Sequence, residues 1–343
     1  MKYIGLPRPS YPLGGIIKSQ SSTFYVFERK TKRMKINRLV LFSISLFCIF
    51  GCTTPKAYLN EAIDIIANNS IDKYKIDWDR YREDVLEYGK KARTVKETYP
   101  AIQYALSKVG NGHSFLISSD QYKSIIAQDK QLSNITSQLF DDKIAYIKIP
   151  GFLGIEGFAD KFAQQIQDKI KEFDNNNVES WVIDLSDNPG GNMWPMLLGL
   201  GPILGEDTLG YFMNADRNFT PWIYANGSVF IGDEKIMTLS NPYILKNHIK
   251  SIAVIISNKT GSSGEAIATA FIGADNCKFF GERTHGFSTG NADHKLSDGA
   301  VIILTESKFV DRNMVIYGKS IQPDVGDSSK SVINTAIKWI NDK

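Results

Sequence analysis

Three short runs that are apolar almost throughout constrain this chain more than any other feature: KIAYIKIP (Lys143–Pro150), SWVIDLS (Ser180–Ser186) and SIAVIIS (Ser251–Ser257). Apolar residues at nearly every position of so short a run mark strands buried on both faces. A segment with helical periodicity follows each: FADKFAQQIQDKIKEF (Phe158–Phe173), MWPMLLGLGPIL after the turn sequence NPGGN (Asn188–Asn192), and the end of TGSSGEAIATAF (Thr260–Phe271). Alternating strands and helices indicate an α/β core, over 140–343. The Tyr-, Trp- and Phe-rich stretch Leu209–Ile231 reads as antiparallel strands or a covering flap. KFFGE and AVIILTESKFV add strands, and SVINTAIKWIND is a closing helix. The preceding part, 53–125, is read as a helical N-terminal domain. YLNEAIDIIANNS, DWDRYREDVLEYGKKA and Thr94–Val109 have helical periods, and the glycines of GNGHSFL (Gly110–Leu116) end the last in an exposed turn.

The formal charge of +3 is misleading. Residues 1–38 hold nine Lys or Arg and one acid, so the body after Cys52 has 31 basic against 36 acidic residues, a net −5. A mildly acidic body argues against nucleic acid as a partner. Met34–Cys52 (MKINRLVLFSISLFCIFGC) has a basic start, an apolar stretch and a Gly-Cys end, the layout of a secretory signal. It resembles a bacterial lipoprotein signal, which implies lipidation of Cys52, export, and anchoring to the cell envelope, on the outer membrane or periplasmic side of a Gram-negative cell. Residues 1–33 look like an extension from a start codon placed too early, with Met34 the true start. Cys277 is the one cysteine left in the body, so no internal disulfide or cysteine-type zinc site is available there.

Ser262, with Glu265 three residues on, has the spacing of a capping box at the foot of a helix. The flanking Gly261 and Gly264 permit a close backbone approach that a cap does not need and an acyl substrate does. Free amides at the helix end suit a developing oxyanion, so capping and nucleophilic roles are compatible. A serine nucleophile needs a base, and four histidines are at hand. His248 lies in a basic, solvated stretch and His294 near a turn, whereas His113 and His285 both occupy Gly-flanked loops. Local sequence leaves these two equivalent. Gly190 and Gly191 close the SWVIDLS strand at its C-terminal end, where α/β proteins place ligands, though N-P-G-G is also an ordinary turn.

In register, GNGHSFL, IAYIKIPGF, VIDLSDNPGG, NKTGSSGE, GERTHG, LSDGAVIILT and IQPDV resemble the tail-specific, or C-terminal-processing, serine peptidases and their tricorn-like relatives. The resemblance implies a ClpP/crotonase-like core of mixed strands and helices. It implies Ser262 as nucleophile of an acyl-enzyme mechanism, and an oxyanion hole from the amides of Gly190 or Gly191 and of Ser263. It also implies protein or peptide substrates and no metal or organic cofactor. Lysine-dependent members carry their base in G-E-x-T-x-G-K, but Phe287 stands at that lysine position. The tricorn-like branch instead draws a histidine from an early turn, which moves the choice from His285 to His113. No counterpart of its distal glutamate is evident, which leaves Glu265 and His285 as supporting candidates. The short stretch between His113 and Ile144 has no room for the PDZ domain of many members. An alternative is a catalytically inert or apolar-ligand-binding module on the same fold, with the aromatics of Gly210–Tyr224 lining the pocket.

Overall fold

The computed structural model describes residues 54–110, 112–128, 134–153, 157–329 and 331–343. The expected signal peptide, the extension before it and Cys52 lie outside them. In chain order the elements are α1 (Pro55–Asn69), α2 (Trp78–Gly89), α3 (Tyr99–Ser107), β1 (Phe115–Ile117), α4 (Ser119–Gln128), β2 (Thr136–Phe140), β3 (Ile144–Lys148), α5 (Ala159–Asn175) and β4 (Ser180–Asp184). They continue with α6 (Met193–Leu204), β5 (Asp207–Asn214), β6 (Phe219–Ala225), β7 (Ser228–Ile231), β8 (Glu234–Thr238), β9 (Ser251–Ile256) and α7 (Ser263–Phe271). Last come β10 (Cys277–Gly281), β11 (Thr289–Lys295), β12 (Val301–Val310), β13 (Val325–Gly326) and α8 (Val332–Asn341).

The three apolar runs become neighbours. β3, β4 and β9 lie side by side and parallel in a six-stranded sheet of order β13-β10-β9-β4-β3-β2, with β2 antiparallel at its edge. Every residue of β4 and β9 is buried, as strands covered on both faces must be. One face packs on α8 through Val182, Ala253, Ile255 and Phe280 against Ala336 and Ile340. The other face meets α5, α6 and α7 in the main core. Helix α5 is amphipathic, burying Phe162, Ile166, Ile170 and Phe173.

A second, antiparallel sheet covers those helices, in the order β1-β12-β5-β6-β7-β8, with β11 paired on the free side of β12. The aromatic stretch read as strands or flap forms β5 to β7. Trp222 and Tyr224 are buried core residues, and Trp222 packs edge-on against Phe212 and Phe309. Of the aromatics expected to line a carrier's pocket, Trp222 and Tyr224 therefore fill the protein's own interior. Helices α1–α3 lie on the outer face of this sheet and share one core with Leu116 of β1 and with Ile302 and Leu304 of β12.

GNGHSFL departs from its expected role as an exposed turn. The chain after His113 pairs as β1 with β12, matching Phe115 to Ile303, and His113 is 7% exposed. Helix α4 follows at once and runs past the end of the part read as helical, 53–125. A three-residue strand carries almost no local signal; its partner almost 190 positions away creates it.

Candidate active site

Ser262 sits where β9 hands over to α7. Thr260 fixes the turn: its hydroxyl accepts from Ser257 N–H at 2.9 Å and donates to the Leu185 carbonyl at 2.8 Å. Ser262 itself has φ 50°, a conformation that costs a non-glycine residue about 1–3 kcal/mol unless the surroundings impose it. Glu265 imposes it. Its carboxylate accepts Ser262 N–H at 3.1 Å, the Thr284 hydroxyl at 2.5 Å and Gly286 N–H at 3.0 Å. The fully buried acid thus realises the reciprocal half of the capping box and ties the serine turn to the GERTHG loop. Burial raises the Glu265 pKa, while these hydrogen bonds oppose the shift.

The N-P-G-G loop lies directly against this turn. A Cβ at Gly190 would come within 2.7 Å of Ser262 Cβ, and one at Gly191 within 2.1 Å of the Phe152 carbonyl oxygen. With φ of 115° and 112°, these two positions admit glycine alone for both reasons. Asn188, fully buried, organises the loop by accepting Gly190 N–H on its side chain and Gly261 N–H on its carbonyl, each at 3.0 Å. The Ser263 hydroxyl donates to the Gly191 carbonyl. Gly190 N–H is therefore spent inside the loop. Gly191 forms a parallel bridge with Phe152 in which Phe152 bonds to Gly190 and Asn192, so its own N–H turns away. Among the described residues, the Gly191 and Ser263 N–H groups have no protein acceptor.

His113 reaches this region from the other sheet. Its Nδ1 lies 2.9 Å from Thr289 Oγ1, and Asn291 Nδ2 donates to its carbonyl at 3.0 Å. Its ring stacks on Phe287, with centroids 4.5 Å apart and planes 6° from parallel. Phe287 in turn meets the exposed His285 ring edge-on at 4.3 Å, and His285 lies beside Gly261, with 3.4 Å between its Cβ and a Cβ built there. A continuous row of rings thus links His113 to the serine turn, although among the described residues no hydrogen bond joins Ser262 to either imidazole. Burial, with a smaller contribution from His285, lowers the His113 pKa to about 4, so the ring is neutral at pH 7. Thr289 occupies Nδ1, which leaves Nε2 without a protein partner among the described residues.

The sequence reading missed Thr289, whose spacing from His113 shows only once β1 and β11 flank β12. Glu265, a supporting candidate, is committed to the serine turn rather than to His113. Lys259, three residues before Ser262, pairs with Asp187, which also holds Lys148. His294 pairs with Glu306 at 2.5 Å.

The profile of Peptidase family S41 matches residues 143–326, more than half of the chain. The chain belongs to peptidase family S41. It is therefore a serine peptidase, a hydrolase acting on peptide bonds of proteins or peptides. This S41 peptidase is 28% identical over 289 residues to the nisin-resistance protein of Lactococcus lactis, covering 84% of this chain and 87% of that one. It is 24% identical over 195 residues to the carboxy-terminal processing protease CtpA of Bacillus subtilis, of which the match covers only 37%. A solved lipoprotein from Streptococcus agalactiae shares the fold, with a TM-score of 0.70, 23% identity, and coverage of 90% of this chain and 99% of that one.

Proposed function

We propose that this S41 peptidase cleaves peptides at the cell envelope through an acyl-enzyme on Ser262, with His113 as base. His113 Nε2 takes the Ser262 hydroxyl proton as the oxygen attacks the scissile carbonyl, and returns it to the leaving amine as the C–N bond breaks. Water then repeats the sequence on the ester, freeing the acid and restoring the serine. The amides of Gly191 and Ser263 hold the oxyanion; each donor contributes about 3 kcal/mol to the barrier in such sites. Thr289 keeps the imidazole in the working tautomer. Closure of the His113 side onto Ser262 forms the missing hydrogen bond, since catalytic contacts tighten when substrate binds.

The observation that carries this reading is the stack of His113 on Phe287. Phe287 stands where lysine-dependent relatives carry their base, so an imidazole supported by an aromatic ring takes over the space beside that position. This supports the histidine-dependent, tricorn-like assignment and favours His113 over the exposed His285. Lipid anchoring through Cys52 is part of the proposal, supported by the Gly-Cys signal and by the lipoprotein sharing the fold. The long match to a nisin-resistance protein makes nisin the first peptide to test as substrate.

A fluorophosphonate probe should label the protein but not Ser262→Ala. His113→Ala should lose on the order of 10²–10⁴ in labelling rate, and His285→Ala less than tenfold. A dead His285→Ala beside an active His113→Ala would overturn the base assignment. Mass spectrometry of the mature N-terminus tests acylation at Cys52.

A further inference from the structure

We propose that the open face of β1, β12 and β11 beyond His113 binds the leaving-group segment of the peptide substrate, with Phe115 and Ile303 taking an apolar side chain and Asp293 a basic one. The inference rests on His113 as the base. The group that protonates the leaving amine stands on the leaving side of the scissile bond, so what lies beyond it meets the departing segment.

Strand register defines the surface. Phe115 and Asp293 both pair with Ile303, and directly paired residues of antiparallel strands share a face. That face also carries Thr305 and Asn291, whose hydrogen bonds hold the His113 backbone through Asn291 and the strand through Ser114. The opposite side, bearing Leu116, Ile302 and Leu304, is closed by α1–α3. Among the described residues, the Phe115 side is left partly open. Phe115 is 48% exposed, Ile303 is half-buried and Asp293 is exposed.

Asp293 is suited to a cation. Among the described residues it forms no ion pair: His294 turns to the other face and pairs with Glu306, and Lys295, one position further, does not reach it. Tyr122 of α4 stands near it, and crowding by surrounding protein holds its carboxyl above the usual range, opposed by the charge of His294. An accessible carboxylate partly stripped of water and without an ion pair among the described residues is a poor arrangement for stability and a useful one for a positive ligand group. The Phe115 row lies about 7 Å beyond the His113 row, and Phe115 and Asp293 are about 10 Å apart across two strand spacings. An extended peptide spans that second gap in roughly three residues. The surface therefore fits an apolar residue close to the cut bond and a basic residue roughly three positions after it.

Binding can be read without turnover. The full chain carrying Ser262→Ala is titrated by fluorescence anisotropy with peptides that differ only in Lys or Glu at the basic position. Lys should bind about two- to fivefold more tightly than Glu, the range for a partly exposed ion pair. Adding Asp293→Lys should reverse the preference, a gain that an unfolded variant cannot give. Phe115→Ala should weaken peptides with Leu near the cut bond about fivefold and leave those with Ser there unchanged. Cuts made by the unaltered protein in a peptide mixture should be followed, on their C-terminal side, by an apolar and then a basic residue. No binding, equal binding of Lys and Glu, a preference that persists in Asp293→Lys, or enrichment on the N-terminal side overturns the proposal. Failure of the probe to label Ser262 would count against the catalytic reading alone.

Discussion

The buried imidazole makes a sharp acid-side prediction. His113 is 7% exposed, stacks on Phe287 and has its pKa lowered to about 4, chiefly by burial. A general base works only when deprotonated, so probe labelling of Ser262 should stay level from pH 7 to pH 5, where roughly 90% of the neutral form remains. It should fall to half near pH 4 and by about tenfold for each further pH unit. An ordinary imidazole would give the same fall near pH 6.5. Replacing Phe287 by Ala admits water to one ring face, so the inflection should move upward by about one pH unit. The same shift acts on stability. The unfolded chain protonates this histidine near pH 6.5 and the folded chain only near 4, so its contribution is present above 6.5 and lost as pH falls toward 4. The loss amounts to about 3 kcal/mol. Labelling rates at fixed probe concentration from pH 3.5 to 8, with circular dichroism at each point to exclude unfolding, provide the assay. An inflection near 6.5 that Phe287→Ala leaves in place would refute the reasoning, because the proton would then pass through an imidazole exposed to solvent.

Thr289→Val removes the partner of His113 Nδ1 and should lower kcat about five- to tenfold with little change in KM, while Thr289→Ser restores most of it; steady-state kinetics on a cleaved peptide decide this. Glu265→Ala strands Ser262 N–H, the Thr284 hydroxyl and Gly286 N–H, and should cost about 3 kcal/mol or more in urea unfolding. Gly190→Ala would drive a methyl to within 2.7 Å of Ser262 Cβ and should abolish probe labelling even where circular dichroism reports an intact fold.

The parts of the fold legible in the sequence are those whose cause is local. β3, β4 and β9 announce themselves because strands buried on both faces need apolar residues at nearly every position, and α5 because its apolar stripe keeps helical period over four turns. The serine turn is legible for the same reason: Gly261, Ser262, Gly264 and Glu265 perform their backbone duties within one turn of helix. The histidine is not. His113 and His285 look alike locally, each in a Gly-flanked loop, and what separates them is written elsewhere in the chain. Phe287 and Thr289 bury and orient His113 from positions more than 170 residues away, and they meet it only because β12 accepts β1 on one side and β11 on the other. Phe287 could be recognised in the sequence as a missing lysine, but not as the ring beneath the imidazole. The two facts describe one substitution seen at two levels. A lysine beside the serine would need a polar, charge-bearing niche, whereas a flat apolar side chain there gives a neutral imidazole a dry face. In the proposed mechanism the absent lysine and the buried histidine thus go together, and exchanging either residue alone would unsettle the pKa on which proton transfer relies.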